Sequence, residues 1–172
     1  MVEKVLRALR LLTMTAWVGG IAFFAFVVAP VAFSRLSSAH QAGLVVGGSL
    51  SILHWIGLIG GGIFCIATAI LWLWAEVPAR VGFAIEIVLA LIMLGVTAYS
   101  QFSILPSMER DRVAAGGAIE TADIDSPARA HFERLHGWSE RLEGLVLFCG
   151  IGVILVLARE SQWPETGKIK PI

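Results

Sequence analysis

An all-α, four-helix transmembrane bundle is the fold this sequence predicts, and three observations carry it. Of 172 residues, 57% are hydrophobic and only 15% are charged, whereas soluble domains carry about a quarter charged residues. Mean hydropathy is +0.81. The apolar residues fall into four long runs, each followed by a short polar break, and a run of about 20 is enough to cross a bilayer as a helix. One integral membrane domain over residues 1–172 follows. Its predicted helices are about 8–34, 43–75, 80–105 and 127–159, with an exposed loop at 107–126. Thirteen basic and 13 acidic residues give a net charge of zero. No basic excess points to nucleic acid as a partner; the expected partner is the lipid bilayer.

The first run, Leu11 to Phe33, holds no charge over 23 residues. It exceeds the apolar stretch of about 7–15 residues in a cleavable signal peptide, so it reads as a retained span. Lys4, Arg7 and Arg10 precede it as flanking charges and Arg35 follows. With further basic residues at Arg80, Arg159, Lys168 and Lys170, the positive-inside rule places both termini in the cytoplasm; a bacterial inner membrane is the expected location. The second run, Gly43 to Trp74, has His54 as its one titratable group. Gly43, Gly47, Gly57 and Gly61 lie on one face at about 100° per residue. Such a small-residue stripe suits helix packing or a membrane-protein partner, a second copy included. Trp72 and Trp74 mark an interface, as belt aromatics do. Counting back about 20 residues puts His54 at the opposite one.

The third helix is expected to end where Pro106 closes it, after a polar last turn with Tyr99, Ser100, Gln101 and Ser103. Glu86 lies within two turns of its start, close enough to reach the interface. The fourth begins at Ser126–Pro127, a capping residue followed by proline at the first helical position. Its strictly apolar part, Gly144 to Ala158, is only 15 residues. The preceding turns should therefore protrude from the membrane as a long helix. His136 and Glu143 are seven residues apart, two turns on nearly one line, with Ser139 and Glu140 between them.

His136, Glu140, Glu143 and His54 are the candidate metal ligands, since imidazole with carboxylate suits zinc, copper, iron or manganese. Ser139, Tyr99 and Gln101 complete a polar cluster at the same depth. Three functions compete. The first is a non-enzymatic protein that binds or passes a metal ion or other small cation at this cluster. The second is a structural or accessory subunit of a larger membrane complex, docked through its glycine faces. The third holds haem between His54 and His136. Cys65 and Cys149 form no CxxC and read as buried small residues. No GxSxG, Walker, HExxH or dinucleotide motif is present.

The run His131-Phe132-Glu133-Arg134-Leu135-His136-Gly137-Trp138-Ser139 resembles the F-x-x-(L/Y)-H-G-x-S signature of transmembrane protein 205 and its bacterial relatives of unknown function. Trp17-Val18-Gly19-Gly20, Val28-Ala29-Pro30, Ala42-Gly43-Leu44-Val45 and Ile104-Leu105-Pro106-Ser107-Met108 fit in order. The resemblance spans about residues 10–158. It implies a four-helix membrane protein whose eukaryotic member is associated with platinum-drug resistance and vesicle traffic, with no settled biochemical activity. His136 and Ser139 match the signature. Glu143 departs from it, standing where the family often has asparagine.

Overall fold

A computed structural model describes residues 1–160; the polar tail with Lys168 and Lys170 lies outside the described residues. Among the described residues, four helices are long and apolar enough to span a membrane: α1, Val2–Arg35; α2, Ala39–Trp74; α3, Arg80–Ala114; α4, Pro127–Arg159. They run up and down. The N-terminus and the end of α4 share one end of the bundle, here the terminal end. The turn at Leu36–Ser38 and the loop at 115–126 form the other, the loop end.

The helices contain 33–36 residues each, roughly 50 Å at 1.5 Å per residue, so α4 is not the one long member. The expected stop at Pro106 is the main correction. α3 runs on through Pro106 to Ala114, and the exposed loop is 115–126 rather than 107–126. The reason is a widened turn. Residues Ser100–Ile104 are π-helical, and Leu105 N–H bonds back five residues to the Ser100 carbonyl. A proline lacks an N–H and its ring clashes with the carbonyl four residues earlier. One extra residue in the turn removes that clash and lets the helix continue. α1 repeats the solution: Phe24–Val28 are π-helical, Ala29 N–H bonds to the Phe24 carbonyl, and Pro30 follows. α3 stops at Gly116 and Gly117, whose φ values of 84° and 104° suit glycine and close the helix through Gly117 N–H to the Arg112 carbonyl at 2.9 Å.

The other ends are local. Ser38 accepts from Gln41 N–H at 3.2 Å and caps α2. α4 starts at Pro127, with Ala130 N–H on the Ser126 carbonyl at 3.1 Å. A single turn of 3-10 helix, Ile119–Thr121, places the Glu120 carboxylate on His40 N–H at 3.1 Å. That ties the loop to the positive end of α2.

Each helix packs on its chain neighbour, and α4 closes the ring against α1. Trp17 fills the centre, fully buried with Met14, Met93 and Val146 around it. Gly57 and Gly61 make its room, because a β-carbon on either would collide with the indole. Gly150 likewise admits Val18 across the α1–α4 seam. The other two glycines of the stripe do not pack. A β-carbon on Gly47 would meet nothing within 4 Å, and one on Gly43 only the Arg112 guanidinium at 3.8 Å. They face open space because the bundle divides toward the loop end. There the upper part of α1 packs on α2, and the extension Leu105–Ala114 packs on α4. At the loop end this extension and α4 form a pair, which His131 Nδ1 on Asp111 at 2.7 Å links.

Candidate functional site: a polar cluster at the floor of a cavity

His54 faces inward because Gly57 and Gly61, three and seven residues on, share its side of α2. It is 2% exposed, and both ring nitrogens are engaged. Nε2 lies 2.7 Å from Glu143 Oε1 on α4. Nδ1 lies 3.0 Å from Gln101 Oε1 on α3. Gln101 Nε2 donates to Ser51 Oγ at 3.0 Å, one turn along α2. Three helices thus meet on one imidazole. Gln101 belongs to the π turn of α3, so the accommodation of Pro106 also sets the side chain that holds His54.

The 2.7 Å contact between Nε2 and Glu143 Oε1 holds one proton between the two atoms, since two facing lone pairs would repel at that distance. Each group is thereby the other's buried polar partner, which an ionisable side chain inside a membrane protein needs.

The rest of the candidate ligand set stands elsewhere. His136 pairs with Glu140 on its own helix at 3.4 Å, the two side chains 46% and 70% exposed, and stacks on Phe132 with centroids 6.3 Å apart. Two turns separate it from Glu143, about 10 Å along the axis. Among the described residues no three His, Cys, Asp or Glu side chains converge as a metal cluster. His136, Glu140, Glu143 and His54 are therefore two pairs at two levels, not one site. Spacing placed them on one face but could not say which neighbour each would meet. Of the predicted polar cluster, Gln101 is at its centre and Ser139 is buried beside the cavity. Tyr99 is 55% exposed and points away. The haem pairing of His54 with His136 lacks its geometry for the same reason, and both nitrogens of His54 are already bonded. Cys65 and Cys149 are free thiols.

Ser51 escaped the sequence reading; its signal was its place one turn before His54. A larger omission is the second buried polar pair. Arg10 and Glu86 are not solvated charges: they are 1% and 0% exposed and form an ion pair in the terminal half. The rings of Phe83 and Phe64 lie 4.9 and 5.6 Å from the guanidinium carbon. The available sign was register, since Arg10, Met14, Trp17 and Ile21 share one face of α1.

Above Glu143 lies a cavity of about 1140 Å³, between α1 and α2 on one side and α3 and α4 on the other. Ser51, Gln101, Ser139 and Glu143 are among its polar lining. Five carboxylates line it, Glu109, Glu120, Glu133, Glu140 and Glu143, against two guanidiniums, Arg112 and Arg129. Arg112 pairs with Glu109 at 2.7 Å and Arg129 with Glu133 at 3.1 Å. Glu120, Glu140 and Glu143 are left to histidine or backbone partners.

A polytopic, four-helix integral membrane protein, with a hydrogen-bonded polar floor beneath a cavity, is the class these features define. Residues 12–115 match the family described as a domain of unknown function, DUF4149. That match covers well over half of the chain, and the chain belongs to this family. It includes His54, Ser51 and Gln101 but ends before Glu143. No curated protein and no solved structure matches the chain.

Proposed function

We propose that this membrane protein binds a small cation at the His54–Glu143 pair and can pass it toward the loop-end solution. The observation that carries the reading is a carboxylate at the cavity floor, 13% exposed, beneath a lining with more carboxylates than guanidiniums. Walls of low dielectric focus such a field and raise the local concentration of cations. An arriving cation takes the Glu143 carboxylate and displaces the proton that the pair shares. The charge on the floor then changes little, which keeps the step inexpensive in an apolar setting. Gln101 and Ser51 hold the imidazole in place throughout. A metal ion would find one imidazole and one carboxylate here, with water or Ser139 to complete its shell.

The same reading puts both termini in the cytoplasm of a bacterial inner membrane, so that the cavity opens outward. Phe132, His136 and Ser139 support kinship with transmembrane protein 205; this run lies beyond the residues that match the family. The accessory-subunit reading has less support, because Trp17 covers Gly57 and Gly61 from within the chain.

Equilibrium binding of Zn²⁺ and of methylammonium to purified protein tests the proposal. Glu143→Gln should lose at least about tenfold in affinity for whichever cation binds, one charged contact being worth roughly 1.4 kcal/mol or more. His136→Ala should lose little. Equal binding by wild type and Glu143→Gln would sink it.

A further inference from the structure

We infer that the cavity's ligand is an organic ammonium ion with an apolar body, a monocationic amine carrying an aromatic or long alkyl group. This rests on the cation-binding reading above and names its substrate class. Three observations lead there.

The first is size. At about 1140 Å³ the cavity lies at the upper end of sites for organic ligands, about 300–1,000 Å³, and far exceeds what a hydrated metal ion fills. The second is composition. Phe24, Phe26, Phe33, Phe132 and Phe148 all line it, five of the nine phenylalanines in the chain. Phenyl faces attract cations and also bury apolar groups. A site for a bare metal ion has no use for them. The third is the side opening. The upper part of α1 leans on α2, and α4 is held by α3. Phe26 on α1 and Phe148 on α4, each 74% exposed, flank the slit between them. An amphiphile can enter along that slit from the apolar phase while its ammonium group reaches Glu143. The surplus of carboxylates disfavours a zwitterionic lipid, whose phosphate would be repelled.

The ammonium group donates to Glu143, in place of the shared proton, and the body lies along the phenyl walls. Gly47 decides how much body fits. It lines the cavity, and a β-carbon there meets nothing within 4 Å. A β-carbon on Gly47 is free of contacts and points a leucine's remaining atoms at the cavity, so Gly47→Leu takes up ligand space and favours the helix over glycine.

The test is equilibrium binding to protein in phosphatidylcholine nanodiscs. The probes are 4-phenylbutylammonium, its neutral analogue 4-phenylbutanol, and methylammonium. Phenylbutylammonium should bind at least about tenfold more tightly than either other probe, roughly the gain from burying two methylenes or a charged contact. Gly47→Leu should abolish that preference. Glu143→Gln should weaken both amines. If methylammonium binds and phenylbutylammonium binds no better, this inference fails while the small-cation reading stands. If neither amine nor Zn²⁺ binds, both fail. Phenylbutylammonium binding that ignores Glu143→Gln and Gly47→Leu would be partition into the bilayer and would overturn the inference. Displacement by added phosphatidylethanolamine would overturn it too, in favour of a lipid.

Discussion

Arg10 and Glu86 set the clearest expectation for a single residue. Both are buried, and each compensates a charge that would otherwise stand alone. Breaking a buried pair from one side costs about 3–5 kcal/mol, whereas replacing both partners by apolar residues of similar volume can be neutral. Arg10→Met and Glu86→Leu should each lower the thermal midpoint in detergent sharply, and the double variant should recover most of the loss. Additive losses would show that the two do not act as a pair. His54 yields a different measurement. Its pair with Glu143 holds one shared proton, so binding of a cation should release about one proton per ion. A pH electrode in weakly buffered solution reads this directly, and cation uptake without proton release would contradict the exchange. Gly57 carries a third expectation. Gly57→Ala collides with Trp17 and should cost about 1–3 kcal/mol as an overpacked core does, while Gly48→Ala, with nothing within 4 Å of its β-carbon, should not.

The π turns matter at the scale of the element. α1 and α3 each meet a proline in the loop-end half, and each widens one turn just before it. In α3 that turn carries Gln101. Replacing Pro106 by Ala restores an N–H and removes the clash, so the turn can tighten to α geometry and rotate Gln101 away from His54. Helical signal in far-UV circular dichroism should stay constant. Cation affinity should fall by about tenfold, the worth of roughly one hydrogen bond to a charged group. Unchanged affinity would mean that the π turn only accommodates the proline. This element also explains one error of the sequence reading. Proline after a polar turn is a fair sign of a helix end, but in a long apolar helix a single π turn absorbs it. The same extension gives the protruding part of α4 a partner, which spacing within α4 could not reveal.

Over the whole molecule, the four helices form a closed ring below His54 and two separated pairs above it. The division turns half of the glycine stripe from packing surface into cavity wall. The proposed orientation has a direct check. In a background lacking Cys65 and Cys149, a cysteine at Ala118 in the loop should react with an impermeant reagent added outside intact cells. A cysteine at Val2 should not, and the reverse pattern would invert the orientation.

Sequence alone determined the fold class, the number of spans, their direction relative to one another and the inward side of His54. These follow from composition, run length and periodicity, which act within one helix at a time. Tertiary structure decided what the periodicity left open. It paired Glu143 with His54 rather than His136, put Gln101 and Ser51 beside them, turned Tyr99 outward and buried Arg10 against Glu86. The physical reason is that a helical repeat fixes which face a residue occupies, while its partner depends on the tilt and height of the neighbouring helix. Those were set here by Trp17 seated on two glycines and by one widened turn ahead of Pro30 and of Pro106.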